Sequence, residues 1–156
     1  MNVSQKLFIS QKECFDAIIR SVIYDIKKST GKAKQLRQLQ GFSYQRTMAN
    51  GVRTTTTISE VTPNEVYQFE TATSVNKHIT TYSIVATSET TCEVTYNEKM
   101  ESDKTMRKLN DMIVGFLFGF FRKKRARNLL RAIEQSVINE SKAKKTKAET
   151  EAKIEG

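Results

Sequence analysis

An α+β fold is predicted for this 156-residue chain: a curved antiparallel sheet of about six strands wrapped around a long C-terminal helix, with another helix after the first strand. Three observations predict it. An early segment repeats its apolar residues at spacings of three and four, the middle of the chain alternates with period two, and a late segment is apolar for ten residues before becoming densely basic. A half-apolar sheet needs a helical layer over that face.

The first strand carries Val3, Leu7 and Ile9 on one side, with Gln5 as the exception. Ser10 and Glu13 then form a capping box, the serine accepting from an early helical amide and the glutamate reaching back. In the helix that follows, Cys14, Phe15, Ile18, Ile19, Val22, Ile23 and Ile26 make one apolar face. Lys27 and Lys28 complement its C-terminal dipole and Gly31 stops it. Residues 32–40 have the composition for one or two further helical turns.

From Phe42 the period is two. Phe42, Tyr44, Arg46 and Met48 share a face, and Asn50-Gly51 is a strong hairpin signal. Val52, Thr54, Thr56 and Ile58 continue the sheet, and Pro63-Asn64 marks the next turn. Tyr67, Phe69 and Thr71 follow, then Thr80, Tyr82, Ile84 and Ala86, then Cys92, Val94, Tyr96 and Glu98, with turns at 74–76 and 88–90. Ser102 or Asp103 caps the last helix, expected from about Lys104 to Asn139. The folded domain is therefore 1–139. The charged segment 140–156 has almost nothing to bury and is expected to be a flexible tail, as a solvated helical extension or a frayed end.

Composition narrows the function. A chain of this length can bury a core without metal or disulfide staples, so Cys14 and Cys92, both within apolar patterns, are expected as buried free thiols. The N-terminus has no apolar leader, and the longest apolar run, Met112 to Phe121, is half of a membrane span. A soluble cytoplasmic protein without a transmembrane segment is expected. The net charge of +9 is uneven. Seven basic and no acidic residues lie in 26–59, nine basic and one acidic in 104–131, but eight acidic and two basic in 60–103. Anionic partners are favoured near the two basic blocks.

On the last helix Ala126, Leu130, Ile133 and Val137 define a stripe that continues back through Met112, Gly115 and Gly119. Two glycines on a covered face cost about 1 kcal/mol each relative to alanine. Either they admit a close backbone neighbour or they leave empty volume. On the second reading Tyr44, Thr54, Thr56, Tyr67, Phe69, Tyr82, Tyr96 and Glu98 from the sheet enclose a ligand cavity with Met112, Gly115, Phe116 and Gly119. Phe116, Leu117, Phe118, Phe120 and Phe121 surround the helix, so its second covering is the N-terminal helix, a partner subunit or a lipid surface. Arg122 falls close to the apolar stripe, which calls for a bend near Gly119 or a snorkelling side chain. With Lys123, Lys124, Arg125 and Arg127 it makes a candidate patch for an anionic or membrane surface.

Catalytic signatures are missing. His78 is the single histidine and is expected in a surface or packing role. The two cysteines and one histidine lack zinc spacing, so no metal is expected. Gly31-Lys32 lacks the first glycine of a phosphate loop, Ile26 standing there, and has Ala33 where a hydroxyl is required. No cofactor motif is present. Nucleic-acid binding is disfavoured by the lack of a stacking platform or groove-reading module.

The order of elements, with Tyr24-Asp25-Ile26, Thr30-Gly31, Gly41-Phe42 with Tyr44, Tyr82 with Ile84, Thr95-Tyr96 with Glu98, and the aromatic-to-basic transition from Phe116 to Arg131, resembles the helix-grip arrangement of the START-like (SRPBCC) superfamily. Within it the chain most resembles a bacterial family known as domain of unknown function 3284. The likeness spans Val3 to Ile138, with six strands where larger members have seven. It implies a cavity between sheet and last helix for a small apolar or amphipathic ligand, in a binding protein more readily than in an enzyme. The alternatives are an anion-surface or protein-interaction module using 116–131, and a START-like cyclase or hydrolase.

Overall fold

The computed structural model describes residues 1–48, 51–74, 76–102 and 111–155, and of 102 and 111–121 it gives the backbone course alone. The elements run β1 (Asn2–Leu7), α1 (Gln11–Thr30), a 3-10 turn (Leu36–Gln38), β2 (Ser43–Thr47), β3 (Arg53–Thr62), β4 (Val66–Ala72), β5 (Asn76–Ala86), β6 (Cys92–Ser102) and α2 (Asp111–Glu155). All strand pairs are antiparallel and the sheet order is β1-β6-β5-β4-β3-β2. Sequential hairpins build β2 to β6. The first strand closes the far edge against the last.

The local signals act as expected. Ser10 accepts from the Glu13 amide at 3.1 Å while Glu13 accepts from the Ser10 amide at 3.2 Å. Gly31 ends α1 in the left-handed region at φ 73°, its amide donating to Lys27 O. Asn64 takes the turn between β3 and β4 at φ 65°, a conformation asparagine tolerates. Asn50 and the hairpin signal it carries lie outside the described residues.

Strand parity decides which side chains face the helices. Cross-strand rows on the concave face include Val61, Tyr67, Tyr82 and Tyr96, then Ile58, Phe69, Thr80 and Glu98, then Tyr44, Thr56, Thr71 and His78. The register shifts between Ile58 and Glu60. This bulge moves the inward residue from an even to an odd position and bends β3, as bulges do.

Helix α1 lies against β2, β5 and β6, and α2 against β1 and α1. The core gathers Leu7, Cys14, Phe15, Ile84, Cys92 and Val94 with Leu130 and Val137 of α2. Cys14 and Cys92 are free and buried, as expected. Their hydrogen bond and their burial push the Cys14 thiol far above the ordinary thiol range. Beyond Glu140 the helix continues to Glu155 with every residue exposed. The segment 140–155 is therefore a solvated helical extension, which its alanine, lysine and glutamate content supports.

Candidate functional site

The concave face is filled at one end and hollow at the other. On β4 to β6, Tyr67, Tyr82 and Tyr96 stand side by side. Ring centroids are 6.1 Å apart for the first pair and 5.2 Å, edge to face, for the second. Phe69 tilts against Tyr67 at 5.5 Å. Such pairs contribute about 0.5–1.5 kcal/mol each beyond simple burial.

Between that wall and the two helices is an open hollow of about 220 Å³. Tyr44, Thr56, Tyr67, Phe69 and Tyr82 of the sheet line it, with Ile18, Ser21, Val22 and Asp25 of α1 and Leu129 and Ile133 of α2. Arg46 stands at its rim. Tyr67 and Tyr82 are 4% and 8% exposed. Burial pushes both phenols above their usual range, so each is a neutral donor. Among the described residues neither hydroxyl has a hydrogen-bond partner.

Two polar clusters flank the hollow. In the first, Tyr44 donates to Asp25 Oδ2 at 2.8 Å and Arg46 pairs with the same oxygen at 3.2 Å. Burial, followed by the bond to Asp25, raises the Tyr44 phenol. In the second, Arg122 of α2 pairs with Glu98 of β6, to which Tyr96 also donates at 3.4 Å. Burial and the Glu98 carboxylate raise the Tyr96 phenol. His78 Nδ1 lies 3.3 Å from Glu98 Oε1 without a hydrogen bond to it. A further hollow of about 690 Å³ runs from this cluster along α2, and it shares Arg46, Phe69, Tyr82 and Leu129 with the first.

Of the sheet residues expected around a cavity, Tyr44, Thr56, Tyr67, Phe69 and Tyr82 line the first hollow, while Tyr96 and Glu98 line the second. Thr54 is buried but its hydroxyl turns to Arg46 O at 3.4 Å, and it lines neither. Met112, Gly115, Phe116 and Gly119 lie outside the residues whose side chains are described, and the glycine argument with them.

Arg122, grouped by sequence with the surface patch, turns toward the sheet because Glu98 offers it a carboxylate. Arg125 is exposed and borders the second hollow, and Lys123, Lys124 and Arg127 face solvent. His78, expected in a surface or packing role, stands in a concave row with its side chain 31% exposed beside Glu98. Its even parity with Thr80, Tyr82 and Ile84 was the signal for this. Asp25, Arg46 and the lining residues of α1 were missed as site residues.

The family described as Domain of unknown function (DUF3284) matches residues 1–119. The chain belongs to that family. No curated protein matches it. Its fold is similar to that of a START superfamily protein from Mycobacterium smegmatis, with 13% identity and a TM-score of 0.54 over 86% of this chain and 97% of that one. It is also similar to Ara h 8.0201, with 11% identity and a TM-score of 0.59 over 89% and 97%. Norcoclaurine synthase from Thalictrum flavum, solved with dopamine and hydroxybenzaldehyde, gives 8% identity and a TM-score of 0.55 over 89% and 86%. At such identities the likeness establishes the helix-grip, START-like fold. No helix of the described residues is long and apolar enough to cross a membrane.

Proposed function

We propose that this chain is a non-catalytic binding module for a small apolar or amphipathic ligand, held between the concave face, α1 and α2. One observation carries the reading. Tyr67 and Tyr82 are more than nine-tenths buried, line the hollow, and keep hydroxyl donors with no partner among the described residues. Both hydroxyls open onto the hollow, since among the described residues His78 Nδ1 is the one buried side-chain polar atom without a partner, so each phenol can donate to a molecule placed there. A guest with a carbonyl, ether or hydroxyl oxygen can accept from both phenols while its apolar part packs on Phe69, Val22 and Ile133.

A binding role fits better than catalysis because the Glu98 carboxylate is already engaged, by Arg122 at Oε1 and by Tyr96 at Oε2, so both of its oxygens are occupied by groups of the protein. The bound aromatic molecules of norcoclaurine synthase support the reading only at the level of the fold. The test is amide NMR titration with 2-octanone, a neutral chain bearing one acceptor, alongside native mass spectrometry of freshly purified protein. Saturable shifts should concentrate at Val22, Tyr67, Tyr82 and Ile133, and Val22→Trp should abolish them. Absence of both saturable shifts and a co-purified molecule would overturn the reading.

A further inference from the structure

Resting on that reading, the geometry points to an amphipathic anion as the guest, its apolar end in the hollow and its charged end at the adjoining mouth beside Arg46. The apolar hollow adjoins a charged depression. Asp25 and Arg46, which stand at its rim, also line an open depression of about 610 Å³ whose other walls include Lys28 and Arg53. This mouth holds three cations and one carboxylate. Lys28 and Arg53 have no ion-pair partner among the described residues, and Arg46 is 42% exposed while it pairs with Asp25 at 3.2 Å.

Size and charge lead to the same guest. At about 30 Å³ per water-sized group, 220 Å³ holds roughly seven heavy atoms. That is below the range of about 300–1,000 Å³ usual for ligand pockets. A molecule large enough to bind well must therefore extend out of the apolar space, either along α2 into the second hollow, where Arg122 is already paired with Glu98, or into the mouth, where Lys28 and Arg53 have no ion-pair partner among the described residues. A wholly apolar guest would leave its protruding part against Lys28 and Arg53. A carboxylate or phosphate there meets unpaired charge, and Arg46 can offer its guanidinium to it without leaving Asp25. Asp25 in turn is held by Tyr44, so the arginine is oriented before the guest arrives.

The experiment is calorimetric titration of the full chain with octanoate, octyl phosphate and 2-octanone, at low and at moderate salt. Both anions should bind at least about tenfold more tightly than the neutral ketone, the advantage of a charge-assisted contact. Their advantage should shrink as salt rises. The surface double variant Lys28→Gln/Arg53→Gln should remove most of it while leaving 2-octanone binding and the melting temperature in place, and adding Arg46→Met should remove the rest. A preference for octanoate over octyl phosphate would assign the head as a carboxylate, and the reverse as a phosphate ester. Ketone and anions binding equally would overturn this inference and leave the binding module standing. Failure of all three probes, with nothing co-purified, would remove both.

Discussion

The two ends of one sheet behave differently although the same helices cover them. Toward β1, the inward residues Leu7, Ile84, Cys92 and Val94 are at most 2% exposed and pack against Phe15, Cys14 and Leu130. Toward β2, the corresponding positions are Tyr44, Thr56, Tyr67 and Tyr82, which border empty volume and carry hydroxyls. Branched aliphatic and thiol side chains interlock, whereas phenols and threonines cannot close a core without leaving polar atoms to be matched. Stability resides at the first end, and the proposed binding function assigns recognition to the second.

The largest effect should come from breaking the packed end. Leu130→Ala removes a fully buried side chain and should cost about 2–5 kcal/mol by chemical denaturation. Binding by the fraction that remains folded should be unchanged. Filling the other end should do the reverse. Val22→Trp is expected to lower stability by no more than about 1–3 kcal/mol, the cost of overpacking, while binding of 2-octanone disappears in NMR titration.

A finer probe removes only the hydroxyls. The double variant Tyr67→Phe/Tyr82→Phe should melt no lower than the parent, since neither hydroxyl bonds to another described residue, and should bind 2-octanone more weakly by about 0.5–1.5 kcal/mol per lost bond. A fall in melting temperature would mean that those hydroxyls are matched within the protein. The smallest effect should follow truncation after Glu140. This keeps the exposed Arg20–Glu140 pair and removes only exposed helix, so stability should stay within about 0.5 kcal/mol. A large loss would place the domain boundary beyond 139.

Much of the fold was legible because local rules and burial agree. The Ser10/Glu13 box, Gly31, the stripe from Cys14 to Ile26 and the alternation from Tyr44 to Glu98 each specify one structure by themselves. The site was legible only where it coincided with that alternation, as for Tyr67 and Tyr82. Arg46 shares Tyr44's parity, yet an arginine on an edge strand reads as solvated unless the carboxylate opposite is known. That carboxylate is Asp25, on another element. The pairing of Arg122 with Glu98 likewise joins α2 to β6, and no spacing along the chain encodes it.

The exposed run of α2 past Glu140 also shapes how the molecule moves through solvent. Fifteen residues from 141 to 155 at about 1.5 Å each make a rod of roughly 22 Å projecting from the rest of the chain. Drag on such a spur is disproportionate to its mass. A monomer of 17.8 kDa would therefore elute early from a sizing column and imitate a larger species, so its assembly state is better weighed by light scattering.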